Sequence, residues 1–277
     1  MNMSDTRSAD VALGERSLWA ERTRRIGGSN LAMRLAFVAT IIVLWYIASL
    51  NVPAFVVPSP MRVWETWLRL IGTPTFWQDF GTTLGRVAMG FLIAAVVGAL
   101  LGLIMGVSRR IGEFLEPAVV IINTVSSTIW AIFALIWFGL SEATTIFVVF
   151  MTAMPLILTS VWQGTRLVSA DYVELAQSFR MSRLQILRKI YLPTILPQFF
   201  AGSRLAFGFG ARVVLIAETL GASSGIGYRL RQAADLVQTD QVFAWTLTLV
   251  ILMLTLEYGI LKPAENYLFA WKKAVPV

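Results

Sequence analysis

The 277-residue chain contains no cysteine and no histidine. That removes disulfides, thiol nucleophiles, the usual zinc sites, imidazole acid–base catalysis and the common haem ligands. Charge is scarce too: 14% of residues are Asp, Glu, Lys or Arg, against 57% hydrophobic, whereas a soluble domain is about 25% charged. No G-x-x-x-x-G-K-[ST] loop occurs, so the chain is not expected to bind or hydrolyse ATP itself. Its carboxylates show no metal-binding cluster, and no cofactor is expected on it. The net charge of +7 raises nucleic acid as a partner. The basic residues lie between apolar runs, however, and do not line one face, so nucleic-acid binding is not expected.

What is present is length enough to cross a bilayer several times. A helix needs about 20 apolar residues to span the hydrocarbon core. Six segments qualify, near 31–50, 80–106, 114–138, 143–163, 195–219 and 241–262. The sequence therefore predicts an all-α membrane protein with six transmembrane helices. Residues 1–30 read as a cytoplasmic leader, because a signal peptide would place a short hydrophobic region early. The six-helix domain runs over 31–262 with a cytoplasmic loop at 164–194, and 263–277 forms a cytoplasmic tail. Arg34 sits where its side chain can snorkel to the interface. Between the first two spans, "NVPAFVVPSP" is turn-rich. "MRVWETWLRLI" then reads as a short amphipathic helix with Trp64 and Trp67 at interfacial positions. Lys and Arg concentrate in the leader, around Arg109 and Arg110, in the 164–194 loop and in the tail. That asymmetry predicts both termini inside.

The second span carries Gly90, Ala94, Gly98, Gly102 and Gly106 at every fourth position, a stripe that lets another helix approach closely. Ionisable residues inside spans demand a reason, at roughly 2.5–3.5 kcal/mol each on insertion scales. Arg204 and Glu257 lie at similar depth and form a pairing candidate. Arg212 lies deeper. It either faces a path and attracts an anion, or pairs with Glu218 of a second copy. Glu218 stands in "AETLGASSGIG", where glycines end the helix, and an outer gate or docking rim is expected there.

The segment "VELAQSFRMSRLQILRKIYLP" is dense in charge beside two apolar runs. Asp171 is the expected N-cap of a first helix, and Glu174 lies in its first turn. Ala176, Phe179 and Arg180 follow at helical spacing. A second helix over Leu184, Ile186, Leu187 and Ile190 ends before the prolines at 193 and 197. Two amphipathic helices with exposed apolar residues require a partner surface.

These residues resemble the permeases of ATP-binding cassette importers, whose cytoplasmic motif reads E-A-A, three residues, Gly, nine residues, I-x-L-P. Glu174, Leu175 and Ala176 stand at E-A-A, Arg180 at the Gly, and Ile190-Tyr191-Leu192-Pro193 at I-x-L-P. Leu175 and Arg180 are the departures. An arginine at the turn predicts a changed or shifted bend, with Ser182 capping the next helix. "VPSPMRVWETW", "TTLGRVAMGFLIAAVVGALLGLIMGVSRR", "LIWFGLSEATTIFVVFMTAMPLILTSVWQG", "VLIAETLGASSGIGYRL" and "ENYLFAWKK" are similar to permeases of the nitrate/sulfonate/taurine type, so the resemblance covers about 31–273. It implies a type I importer (MetI-like) permease fold. It also implies two ATPase subunits that hold ATP and magnesium, a second permease copy and an external substrate-binding protein. Asp171, Glu174, Leu175, Ala176, Ser178, Phe179, Arg180 and Met181 would contact the ATPase as a coupling helix. The substrate path would draw on Asn123, Ser126, Ser127, Trp130, Phe133, Met154, Arg212 and Glu218. Such permeases carry prolines in the third span, where this chain has Ser126, Ser127 and Ile132. With Trp130, Phe133 and Trp137 close by, a small anion and a larger aromatic solute both stand as substrates. The competing reading is a secondary transporter or channel without an ATPase, which would require midplane carboxylates and inverted repeats.

Overall fold

The computed structural model describes residue 33 and residues 36–263. The expected leader, Arg34 and the "ENYLFAWKK" segment lie outside the described residues. Among those described, the regular structure is entirely helical. The chain forms two compact units, one ending at Val63 and the other beginning at Trp64.

In the first unit, α1 (Ala36–Asn51) is a short apolar helix. Its Trp45 Nε1–H donates to Pro58 O at 3.1 Å, tying the proline-rich turn back to the helix. Helix α2 (Pro60–Ile71) carries the boundary between the units, and its amphipathic pattern is the expected one. From the second unit's side, Trp67 Nε1–H donates to Thr248 Oγ1 and Thr66 Oγ1–H to Asp240 Oδ2, both at 3.0 Å.

The second unit runs α3 (Pro74–Val107), α4 (Arg109–Thr124), α5 (Ser127–Phe138), α6 (Glu142–Arg166), α7 (Ala170–Ser178), α8 (Arg183–Ile186), α9 (Leu192–Gly221), α10 (Ile226–Asp235) and α11 (Thr239–Leu256). Four helical runs are long and apolar enough to cross a membrane: 74–107, 142–166, 183–221 and 239–259. The expected span at 114–138 is not one straight helix. Helices α4 and α5 meet at a bend of 94°. Among the described residues there are four such spans, or five if the bent pair is one span, beside the shorter apolar helix α1.

The bend has a local cause. Thr124 ends α4, Val125 turns to extended backbone, and Ser126 starts α5 by accepting from the Thr128 N–H at 3.4 Å. A hydroxyl thus satisfies one of the backbone donors exposed at the new helix start.

The core forms where α3 crosses α6. Cβ atoms placed on Gly98 and Gly102 would lie 2.8 Å from Met154 O and 2.5 Å from Leu158 O. On Gly90 a Cβ would meet Val149, and on Gly106 it would meet Thr165. The stripe brings the backbone of one helix against the backbone and side chains of the next. Ala94, Met105, Ala153, Ile157, Leu158 and Val161 fill the interface. On its other face α6 meets α9, where Gly202 lies against Ser160 and Gly210 against Val149.

Gly98→Ala should destabilise the protein by about 1–3 kcal/mol, the usual cost of overpacking. Gly85→Ala, where an added Cβ meets nothing within 4 Å, is the matched control. Thermal unfolding of the detergent-purified chain should show a lower Tm for the first and no loss for the second.

Candidate functional site

Two polar constructions stand out, at opposite ends of α9. Before its first residue lies the 169–191 segment. Ser169, not Asp171, is the N-cap of α7; its side chain accepts from the Asp171 N–H at 3.2 Å, and Asp171 occupies the first turn. The sequence reading placed the cap two residues late. A carboxylate in that first turn still complements the helix dipole.

Helix α7 ends in a Schellman turn. The Met181 N–H donates to Ala176 O at 3.0 Å and the Arg180 N–H to Gln177 O at 2.8 Å, the paired bonds of that motif. Arg180 occupies the left-handed position with φ 54°. Arginine therefore adopts the glycine conformation in place, and the bend is not shifted. Ser182 caps α8 with a reciprocal pair: its N–H donates to Gln185 Oε1 at 2.8 Å, and its Oγ accepts from the Gln185 N–H at 3.3 Å. One helical turn later, Leu187–Tyr191 widens into a π-helix that leads into α9. Pro193 fits α9's first turn because it has no N–H to leave unsatisfied.

Of the predicted contact residues, Asp171, Glu174, Leu175, Ser178, Phe179 and Arg180 are exposed, Met181 is half-buried and Ala176 is buried. Phe179 is 75% exposed, and Tyr172, Leu175 and Leu184 are also exposed. Behind them a cavity of about 380 Å³ opens between α7 and the π-helix, lined by Leu175, Phe179, Lys189, Ile190 and Pro193.

At the far end, Glu218 has 0% exposure. Its carboxylate accepts from Arg86 (NH1 to Oε1, 2.9 Å), from the Thr83 hydroxyl at 3.0 Å and from the Gly227 N–H (to Oε2, 2.9 Å). Arg86, 4% exposed, also donates to Ser224 O at 2.7 Å and Ser224 Oγ at 2.9 Å. Asp79 takes the Gly225 N–H at 2.8 Å and the Arg229 Nε–H at 2.6 Å. Thr83 Oγ1 accepts from the Ile226 N–H at 2.9 Å. Successive N–H groups at the start of α10 thus end on side chains from α3 and α9. The exposed donors and positive dipole end of a helix favour carboxylates there. Glu142, 3.8 Å from Arg86, adds a third, exposed carboxylate to the two guanidiniums. Gly225 is required, because its φ of 104° and ψ of 169° lie in a region essentially reserved for glycine. A Cβ there would also strike the Glu218 carboxylate.

Residues 94–261 match the family of binding-protein-dependent transport system inner membrane components. The chain belongs to this family. It is a multi-pass inner-membrane permease of an ATP-binding cassette importer. Similar proteins include the taurine transport system permease protein TauC of Escherichia coli, 27% identical over 87% of this chain and 90% of the relative. The putative aliphatic sulfonates transport permease protein SsuC of Bacillus subtilis is 29% identical over 85% and 86%. The nitrate import permease protein NrtB of Synechococcus elongatus is 32% identical over 67% and 70%. Among solved structures, the inward-facing MetNI methionine ABC transporter superposes with a TM-score of 0.58 at 18% identity, covering 71% of this chain and 97% of that one. That likeness establishes a shared fold, and the type I permease fold is the one observed.

The permease does not gather the predicted path residues into one place. Asn123, Ser126 and Phe133 are exposed around the α4–α5 bend, with Ser127 and Trp130 half-buried beside them. Trp130 packs edge-on to Phe133 and Phe147 at centroid distances of 6.1 and 6.2 Å, and Trp137 stacks on Phe133 at 5.6 Å. Met154 is buried in the α3–α6 core. Glu218, expected at an outer gate or docking rim, is buried, and its oxygens accept from Arg86, Thr83 and Gly227 of its own chain. Arg212 is exposed on α9 and makes no hydrogen bond or ion pair among the described residues. Arg204 and Glu257 line one cavity together with Arg212. Sequence reasoning missed Arg86, Asp79 and Thr83. Their spacing in "DFGTTLGR" (residues 79, 83 and 86) does place all three on one helix face.

Arg86→Met strands a buried carboxylate and should cost about 3–5 kcal/mol. Arg86→Met combined with Glu218→Gln removes the charge and keeps an acceptor for the Gly227 N–H, so it should recover a good part of that loss. Unfolding curves of the purified permease check both. Arg180→Gly relieves a left-handed conformation worth about 1–2 kcal/mol for a residue with a Cβ, offset in part by the flexibility glycine gains in the unfolded chain. The same measurement should show a small rise in Tm.

Proposed function

We propose that the 169–191 segment is the coupling element through which a separate ATPase drives this permease. Two copies of the chain form the pathway, with two ATPase subunits holding ATP and magnesium on the cytoplasmic side. An external binding protein delivers the solute. Both termini and the coupling segment are cytoplasmic, as the distribution of Lys and Arg implies. ATP binding closes the ATPase pair, the coupling helices approach, and the spans switch from inward- to outward-facing. Solute passes inward after hydrolysis, a bistable repacking biased by ligand.

One observation carries this reading. Helix α7 holds Tyr172, Leu175 and Phe179 exposed on a short, doubly capped element that the other described residues leave uncovered. Such an apolar helix face is the kind that lays into a groove of a partner. The π-helix at 187–191 makes the junction to α9 a site of local adjustment, as π-bulges frequently are at functional positions.

The substrate we infer is a small organic or inorganic anion. Relatives carry names for taurine, aliphatic sulfonates, nitrate and bicarbonate, all bearing an oxyanion group. The aromatic cluster around Trp130 is accounted for by stacking among its own members, so an aromatic solute has less support.

Co-purification of the tagged permease with its candidate ATPase is the deciding test. Wild type should capture the ATPase stoichiometrically, and Glu174→Lys should abolish capture while leaving the permease folded. Absence of capture by wild type under gentle extraction would overturn the coupling role and favour an ATPase-independent transporter.

A further inference from the structure

Helix α9 carries a second feature that its packing does not explain. Arg204, Gly208 and Arg212 stand at successive four-residue steps, so they share one face of the helix. Ala201, Leu205 and Phe209 lie on the same side and are exposed. Arg212 is twenty residues beyond Leu192 and nine before Gly221, or roughly 30 Å and 14 Å along the axis. It lies within the 183–221 run, which is long and apolar enough to cross a membrane. An arginine on the lipid-facing side of such a span is costly, and intramembrane ionisable residues usually face the bundle interior or a water-filled cavity.

The face borders a cavity of about 490 Å³, formed with α11 and lined by Arg204, Phe207, Gly208, Arg212, Met253 and Glu257. Arg212 reaches this cavity with no hydrogen bond or ion pair among the described residues. Gly208 sits between the two arginines, and a Cβ placed on it would meet nothing within 4 Å. The wall between the charges is therefore open and smooth. Glu257 is the first residue of a second π-helix, Glu257–Leu261, a distortion common at functional sites. The one carboxylate that sequence spacing offered to Arg212, Glu218, is already held by Arg86, Thr83 and Gly227.

We infer that this cavity is an anion station on the translocation route, with Arg212 as the residue that receives the anion. The inference rests on the permease and anion reading above and assigns it to a place. A planar guanidinium presents paired N–H donors that match the oxygens of a sulfonate, carboxylate or nitrate. Low-dielectric walls focus its field on the cavity. Phe207, Phe209 and Met253 supply the apolar lining that a short carbon chain attached to the oxyanion would contact.

The absence of native cysteine makes the test direct. Gly208→Cys introduces the only thiol, at a position with room for it. In the assembled transporter this thiol is treated with an anionic sulfonatoethyl methanethiosulfonate or a cationic trimethylammonioethyl methanethiosulfonate. In each case the thiolate attacks the reagent's sulfenyl sulfur, forming a mixed disulfide and releasing methanesulfinate. Relative to a small free thiol, the anionic reagent should be favoured by about 10-fold or more, the scale of electrostatic focusing in a charged cleft. Arg212→Gln in the same background should remove that preference, and Arg212→Lys should retain most of it. Equal labelling by both reagents, or a preference untouched by Arg212→Gln, would overturn the station. So would a thiol that neither reagent reaches from water. ATPase capture by the same variants reports separately on the importer reading, so the station can fail while that reading stands.

Discussion

A carboxylate with no contact to solvent must find every partner within its own chain. Glu218 does so by drawing three elements together: Arg86 and Thr83 from α3, the Gly227 N–H from α10, and its own position at the end of α9. Loss of one partner leaves a charge buried in low dielectric, which is far costlier than the intact group is favourable. The turn at 222–225, the glycine at its corner and the start of α10 are all shaped by that requirement. Asp79 and Arg229 repeat the device alongside, so the α9–α10 corner is fastened at two points.

From this fixed end α9 runs thirty residues, about 45 Å, to the π-helix and the turn at Arg180. One end of the helix is locked by ionic hydrogen bonds; the other is joined through a widened turn to a short, exposed, well-capped element. A displacement of the exposed element by a partner would reach α9 as a movement about its fastened end. Glycines of α3 on α6 and of α9 on α6 hold these helices in close contact. Close-packed interfaces of this kind switch between arrangements and do not deform gradually. Arg212 lies on the face of α9 that such a movement would carry.

Much of this was legible in sequence because it depends on local chemistry. Long apolar runs must be helices in a bilayer, since every backbone polar group has to be satisfied internally. The glycine stripe on α3 predicted close packing and has it. Arg180 shows the limit of residue preference: arginine is disfavoured in the left-handed region, yet the two Schellman bonds hold it there. Ser126 shows a signal present but misread. A hydroxyl in an apolar run can be solvated by its own helix or can start a new one, and only the path of the chain on either side selects between them.

Composition and periodicity by themselves determined that the chain is helical, spans a membrane several times and carries an amphipathic, charge-dense segment between two of its apolar runs. These follow from transfer free energies and helix geometry, which act over a few turns at a time. The tertiary structure alone decided that α4 and α5 meet at a right-angled bend, that Glu218 belongs to Arg86 and not to Arg212, and that Arg204, Arg212 and Glu257 share a cavity. The residues concerned are separated by 132 positions in one case and lie on different helices in the other. Which long-range pair forms depends on how all the helices pack at once, and no local pattern encodes that.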